Sequence, residues 1–119
     1  MPHIHLEYSD NIENLDPKPL LVALNQAMLD GAYVKAANEV KSRAICQQDY
    51  VIGLGDASQA YLHAKVSLLT GRSVELQQEI SQLLLSTLEQ HLPPQSQVKV
   101  QICVEILEMQ KATYSKKIV

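Results

Sequence analysis

Hydrophobic and polar residues change their spacing several times along the chain. In residues 3–8 they alternate, which is typical of a strand with one covered face. The next segment places leucines three and four positions apart, which predicts a helix that begins at Pro17 behind an Asp16 cap and ends near Gly31. Residues 39–46 have the composition of a second strand. The first half of the chain therefore predicts the order strand, helix, strand.

The same order recurs in the second half. Residues 60–69 predict a third strand, and Ser73 is suited to cap a second helix that Pro93-Pro94 ends. Residues 97–107 alternate strictly, which predicts a fourth strand. The second helix has an apolar face formed by Leu76, Ile80, Leu83, Leu84, Leu88 and Leu92. Two strand–helix–strand units predict the α+β class, with both helices on one face of a sheet.

The length and the uncovered sheet face bear on the assembly. A chain of 119 residues matches one domain, which we expect to span residues 1–119. The predicted sheet face without helices carries His3, His5 and Glu7 among apolar positions. Because a small domain gains further burial by covering such a face with copies of itself, we expect an oligomer.

Charge and composition exclude several function classes. Hydrophobic residues make up 46% of the chain and charged residues 19%, which is typical of a folded protein. The net charge of −3 and the lack of a basic face argue against nucleic-acid binding, and Lys116-Lys117 is interpreted as a solvated end. No apolar run approaches the roughly 18 residues that cross a bilayer. The first residues lack the features of a secretory signal, so we expect a cytoplasmic protein without a membrane partner.

The histidines and cysteines give no specific signal. His3 and His5 lie two apart on a strand and point to one side, a spacing that can bind a metal. No pattern elsewhere completes a ligand set, so they are interpreted as surface histidines and no metal is expected. Cys46 and Cys103 fall in predicted strands without a second cysteine nearby, so we expect them to be buried thiols without a chemical role.

The residue most suggestive of chemistry is Pro2. A proline directly after the initiator methionine can be exposed by methionine aminopeptidases, because its side chain is small. Its nitrogen is then a secondary amine, which can accept a proton. The alternative is an ordinary proline that opens a strand.

Several short motifs together resemble one family, the 5-carboxymethyl-2-hydroxymuconate isomerases of the tautomerase superfamily. The similarity covers nearly the whole chain, and the combination of motifs is much more specific than any one of them. The similar segments are Met1-Pro2-His3, Glu7-Tyr8-Ser9-Asp10-Asn11-Ile12, Ser42-Arg43, Tyr61-Leu62-His63, Gly71-Arg72-Ser73-Val74-Glu75 and Glu105-Ile106-Leu107-Glu108.

The resemblance implies a fold and a chemistry. The fold is a pair of β-α-β units with pseudo-twofold symmetry, with a four-stranded mixed sheet and two helices on one face, assembled as a homotrimer. In the implied reaction, Pro2 is the general base that moves a double bond in an unsaturated 2-hydroxy or 2-oxo acid, without a metal or organic cofactor. Arg43, Arg72 and Lys41 match basic positions that would hold the carboxylates of this small-molecule substrate. The implied pathway is the breakdown of homoprotocatechuate, a branch of aromatic catabolism.

Two departures from the family leave the substrate open. The family more often carries an arginine at the position of Lys41, so a planar two-point donor is replaced by a flexible point charge. Residues 46–60 agree little with the family and lack a tryptophan often found there. Two alternatives therefore remain. One is a promiscuous keto–enol tautomerase of phenylpyruvate-like compounds, and the other is a non-catalytic trimeric binding paralogue.

Overall fold

A computed structural model describes all 119 residues as a four-stranded sheet with two helices on one face. The strands stand in the order β2-β1-β3-β4, with β1 parallel to β2, antiparallel to β3, and β3 parallel to β4. The predicted fold class is thus confirmed. The elements are β1 His3–Ser9, α1 Pro17–Asp30, β2 Lys41–Gln47, β3 Gln59–Leu69, α2 Val74–His91 and β4 Lys99–Met109, with short 3₁₀ turns at Ala37–Glu39 and Lys111–Thr113. The first strand ends one residue beyond its predicted end, and the other three differ from their predicted bounds by two residues at most.

The two β-α-β units are related by a pseudo-twofold axis, and each contains an equivalent backbone hydrogen bond. At the start of β2, the Lys41 amide donates to the carbonyl oxygen of Pro2 at 3.1 Å. At the start of β4, the Lys99 amide donates to the carbonyl oxygen of Ser58 at 2.9 Å. Because each bond lies just before a central strand, the position of Pro2 in the first β-α-β unit corresponds to that of Ser58 in the second.

The core lies between the sheet and the two helices. Every second residue of β1 and β3 is buried, as the alternation predicts. The largest fully buried side chains include Ile4, Leu6, Leu62, Val66 and Leu68 from the sheet and Leu24, Met28, Ile80, Leu84 and Leu88 from the helices. Burying one such side chain contributes about 1.5–3 kcal/mol relative to leaving it exposed. This layer fixes which sheet face remains free.

The predicted helix caps are confirmed. An Asp16 side-chain oxygen accepts a hydrogen bond from the Lys18 amide at 3.3 Å, and the Ser73 hydroxyl accepts one from the Leu76 amide at 3.2 Å. The first helix ends at Gly31 for an unexpected reason. Gly31 has a right-handed φ of −76°, but a Cβ there would collide with the ring of Tyr33, so the glycine is needed for space.

The prediction that both cysteines are buried is wrong. Cys46 and Cys103 are exposed. Cys103 pairs with His63 in register, so it lies on the sheet face without helices, and Cys46 lies near the end of the edge strand β2. Free cysteines are usually buried. These two are exposed because each lies in an outer strand of the sheet. No helix of the chain is long and apolar enough to cross a membrane.

Candidate active site

Pro2 lies immediately before β1, and its side chain is fully buried. Its carbonyl oxygen is held by the Lys41 amide, which fixes the chain at the edge of the sheet. While Met1 is attached, the Pro2 nitrogen is a peptide amide and cannot accept a proton. Pro2 lines none of the four surface cavities in this form.

The strand register brings the basic residues to this end of the sheet. Lys41 pairs with His3 and Arg43 with His5, so both basic side chains share the free face with the two histidines. Arg72 follows β3, which runs antiparallel to β1, so the end of β3 lies beside the start of β1. Four residues singled out from the sequence, Pro2, Lys41, Arg43 and Arg72, therefore lie at one end of the molecule.

The electrostatic environment of the chain's amino group is cationic. Burial lowers the pKa of the Met1 amino group below its usual 8.0, and the charges of Lys41, Arg72 and Lys116 lower this pKa further. Glu39 acts in the opposite direction and does not cancel the shift. The pKa of Lys41 is lowered in the same way, by burial first and then by Lys116. We call Lys41, Arg43, Arg72 and Lys116 the cationic cluster.

No carboxylate oxygen lies within ion-pair distance of the cationic cluster. The one contact of this kind in the chain joins His63 Nε2 and Glu105 Oε1 at 3.5 Å, away from these four residues. The cluster contains both arginines of a chain whose net charge is −3. Like charges gathered without ion-pair partners raise the local positive potential, and such a potential attracts anions. The arrangement is suited to binding a carboxylate.

A hydrogen-bonded chain of side chains runs across the free face from β2 to the C-terminal segment. The Arg43 guanidinium Nη2 lies 3.1 Å from His3 Nδ1, and His3 Nε2 lies 2.9 Å from the Tyr114 hydroxyl. Because a guanidinium only donates, Nδ1 must accept, and Nε2 therefore carries the proton and donates to Tyr114. Burial, followed by the charges of Lys41 and Arg43, lowers the pKa of His3. His3 is thus held neutral, in one tautomer.

A second group of contacts positions Arg72. The Gln77 side-chain amide donates to the Arg72 carbonyl at 3.2 Å and to the Glu108 carboxylate at 2.7 Å. The Arg72 guanidinium itself makes one long hydrogen bond, 3.4 Å to the carbonyl oxygen of Leu69. Its backbone is therefore fixed, while most of its N–H groups remain available to a ligand.

Three side chains in this region were assigned no role in it from the sequence. From the sequence, His3 is interpreted as a surface histidine and Lys116 as part of a solvated end, and the resemblance implies a tail from Tyr114 that can reach a neighbouring subunit. The structure places Lys116 Nζ 3.2 Å from the Met1 sulfur. The topology offers a signal, since β4 runs parallel to β3, so the tail after β4 emerges where β1 begins.

A cavity of about 380 Å³ lies beside the cationic cluster. It is lined by Ala36, Asn38, Glu39, Lys41, Lys116 and Ile118. A cavity of about 360 Å³ at the opposite end of the sheet is lined by Asn11, Tyr50, Asp56 and neighbouring residues, and has no cation in its wall. Only the first of the two is suited to an acidic ligand.

A model of the 5-carboxymethyl-2-hydroxymuconate isomerase family matches residues 2–118 of the chain. The chain belongs to this family. No curated protein matches the sequence significantly. Membership of the 5-carboxymethyl-2-hydroxymuconate isomerases places the chain in the tautomerase superfamily and supports an isomerase activity.

Solved structures agree with the family. A 5-carboxymethyl-2-hydroxymuconate isomerase from Deinococcus radiodurans R1 is 28% identical, with a TM-score of 0.87 over 98% of this chain and 88% of that chain. A 5-carboxymethyl-2-hydroxymuconate delta-isomerase is 22% identical, with a TM-score of 0.76 over 100% and 89%. A fused 4-OT wild-type symmetric trimer is 19% identical, with a TM-score of 0.66 over 89% and 85%. The last two share the fold.

Proposed function

We propose that this protein is a cofactor-free isomerase that moves a double bond in an unsaturated 2-hydroxy or 2-oxo carboxylic acid. Pro2, once Met1 has been removed, is its general base. The substrate class is that of 5-carboxymethyl-2-hydroxymuconate. The observation that carries the proposal is the environment of the amino terminus, where burial and the charges of Lys41, Arg72 and Lys116 disfavour a protonated amine.

The reaction needs only one group that moves a proton. The lone pair of the Pro2 nitrogen takes the proton of the 2-hydroxyl group of a 2-hydroxy acid, or a proton from the carbon beside the ketone of a 2-oxo acid. Either step leaves a dienolate on the substrate and a protonated proline. The proline then returns the proton to another carbon of the conjugated system, so that atoms and charge balance and the base is regenerated. A base with a pKa near the working pH typically contributes about 10²–10⁴-fold in rate.

The cationic cluster supports this step in two ways. Arginine presents a planar fork that binds a carboxylate through two hydrogen bonds, a role that we assign to Arg72 and Arg43, with Lys41 as a point charge. Positive charge beside the substrate also stabilises the dienolate as it forms. The same charges favour the unprotonated form of the amine, because they disfavour a further cation.

We also propose a homotrimer. Its support is the free sheet face, where half-exposed His3, His5, Glu7 and Tyr61 lie without a covering layer, together with the symmetric trimer among the similar structures. Sedimentation equilibrium measures the mass directly. A monomer at micromolar concentration would contradict the assembly and leave the chemistry of one chain untouched.

The decisive experiment compares three forms of the protein, namely the Met1-free chain, the Met1-bearing chain and Pro2→Ala. Met1 content is read by mass spectrometry, and turnover of 5-carboxymethyl-2-hydroxymuconate is followed by absorbance. We expect turnover by the Met1-free chain, a loss of about 10²–10⁴-fold in Pro2→Ala, and a loss at least as large with Met1 present. Unchanged circular dichroism spectra and melting temperatures exclude unfolding as the cause.

The same assay run with phenylpyruvate separates the alternatives. Turnover of phenylpyruvate alone, lost in Pro2→Ala, would indicate a keto–enol tautomerase with the same base. This alternative follows from the departure at Lys41, where the resemblance to the family implies that a two-point clamp is more usual than a single charge. A Met1-free chain that turns over neither compound would overturn the proposed activity and favour a binding paralogue.

A further inference from the structure

We propose that Lys116, on the C-terminal segment, is a specificity-determining residue that selects substrates with a second carboxylate. Lys116 and Lys41 face one cavity of about 380 Å³, which we call the lysine pocket. The inference rests on the proposed function, because the first carboxylate is assigned to the arginines beside Pro2. The second carboxylate is assigned to the lysine pocket.

The geometry supports an anion between the two lysines. Lys116 lines the same cavity as Lys41 although the two residues lie far apart in the sequence, and Met1 is not part of that lining. Lys41 Nζ donates to the carbonyl oxygen of Glu39 at 2.6 Å and keeps its remaining N–H groups for a ligand. Each lysine therefore presents charge to the same small volume.

Glu39, the acidic residue of the lysine pocket, forms no ion pair with Lys41 or Lys116. Its carboxylate accepts a hydrogen bond from the Ala36 amide at 3.0 Å. The charge of Lys116 lowers the pKa of Lys41 more than the charge of Glu39 raises it, so the two ammonium groups repel each other. A carboxylate bound between them would relieve this repulsion and gain charge-assisted hydrogen bonds from both.

The chemistry defines the ligand by its charges. A monocarboxylate fills the arginine side of the site only, whereas a dicarboxylate of suitable length reaches the lysine pocket as well. Lys116 therefore acts mainly on binding, and its loss should raise KM for a diacid without lowering kcat in proportion. A residue that only stabilised the tail would affect both kinds of ligand equally.

The experiment pairs ligands that differ only in the second carboxylate. Binding of 2-oxoglutarate and 2-oxoadipate is compared by calorimetry with binding of 2-oxopentanoate and 2-oxohexanoate, all on the Met1-free chain. We expect the better diacid to bind about tenfold more tightly than its monoacid, in line with a charge-assisted hydrogen bond. Lys116→Met should reduce this preference to about twofold or less, and Lys116→Arg should restore most of it.

The adjacent lysine provides the matched control. Lys117 carries the same charge one residue away and does not line the lysine pocket, so Lys117→Met should keep the tenfold preference. Equal preference in the Lys116→Met and Lys117→Met variants would overturn the inference, as would the absence of any diacid preference in the unmodified chain.

Turnover of 5-carboxymethyl-2-hydroxymuconate, measured on the same samples, separates this result from the proposed activity. If this compound is turned over while the diacid preference is absent, only the role of Lys116 fails. If nothing is turned over but the preference persists and depends on Lys116, the binding role stands and the proposed catalysis fails.

Discussion

At the end of the sheet where β1 begins, cations gather without ion-pair partners, whereas at the end where β3 begins, the carboxylates are held by hydrogen bonds. There, Asp56 accepts bonds from the Ser58 amide and hydroxyl at 2.9 and 2.6 Å, and Asp10 accepts one from the Tyr50 hydroxyl at 3.1 Å. Glu13 is bound by the loop that precedes β4. One end is closed by its own contacts, and the other leaves charge for a ligand.

The two ends are related by the same backbone pattern, so the difference lies in the side chains and in the chain terminus. Pro2 and Ser58 occupy corresponding positions, each bound by the amide of a lysine on the neighbouring strand. Only Pro2 lies next to the amino terminus, so only that end can present a free amine. The pseudo-symmetric fold thus supplies two equivalent positions, and the terminus determines which can act as a base.

The comparison is tested most strongly by removing one cation at each end. Arg72→Gln keeps hydrogen-bonding atoms but removes the charge, so we expect kcat/KM to fall about 10- to 100-fold, the loss of a charge-assisted hydrogen bond. The pKa of the Pro2 amine should rise, because one cation that disfavours its protonation is gone. The acid limb of the rate profile should therefore move to higher pH.

The matched control for Arg72→Gln is Lys99→Gln. Lys99 is the counterpart of Lys41 at the opposite end and is exposed. We expect its kcat/KM and pH profile to match those of the unmodified chain. Equal losses of kcat/KM in both variants would show that the net charge of the protein, and not the cationic cluster, governs the rate.

A smaller effect is expected from restoring the residue more usual in the family. Lys41→Arg replaces a point charge with a planar fork, so KM for a carboxylate substrate should fall a few-fold while kcat changes little. Steady-state kinetics on the Met1-free protein measure both constants. An increase in KM would indicate that the site is shaped around the ammonium group of Lys41.

The smallest effects concern stability, and they separate the two ends by pH. The pKa of His3 is lowered from 6.5, so the unfolded chain takes up this proton first and stability falls as pH drops below about 6.5. The pKa of Glu13 is lowered from 4.5, chiefly by the Ser96 amide, so its contribution is lost as pH falls below about 4.5.

Variants that cannot titrate should each weaken the pH dependence of stability in one of these windows, where His5 and Asp56 also contribute. Denaturant melts from pH 7.5 to 3.5 should show a weaker fall in stability in the upper window for His3→Gln, and in the lower window for Glu13→Gln. In His3→Gln, the side-chain amide can still accept a hydrogen bond from Arg43 and donate one to Tyr114. Both hydrogen bonds are thus kept, but the side chain can no longer become positively charged. A slope that is unchanged in both variants would contradict the assignment.

The fold was predictable because its signals are local. Alternation in residues 3–8 and 97–107, the Asp16 and Ser73 caps and the proline pair after α2 each depend on neighbours in sequence. The strand ends differed by one or two residues because alternation does not mark where hydrogen bonding stops. The cysteines were assigned wrongly because exposure in an outer strand depends on which layers cover it.

The candidate site was predictable only in part. Pro2, Arg43 and Arg72 came from motifs, and the strand register explains why they meet. The contact between His3 and Tyr114 spans 111 positions, and that between Lys116 and Met1 spans 115. Spacing along the sequence therefore gives no sign of either contact. Such contacts follow from topology, which single-residue patterns do not encode.

Both chain termini lie at the same end of the sheet, and this has a practical consequence. Affinity tags or fluorophores attached to either terminus would crowd the same small region and would mask both the amine and Lys116. The exposed thiol of Cys46, at the far end of β2, offers an attachment point for dyes or surfaces once Cys103 is replaced by serine. Protein immobilised through Cys46 would present its functional edge outward to solvent.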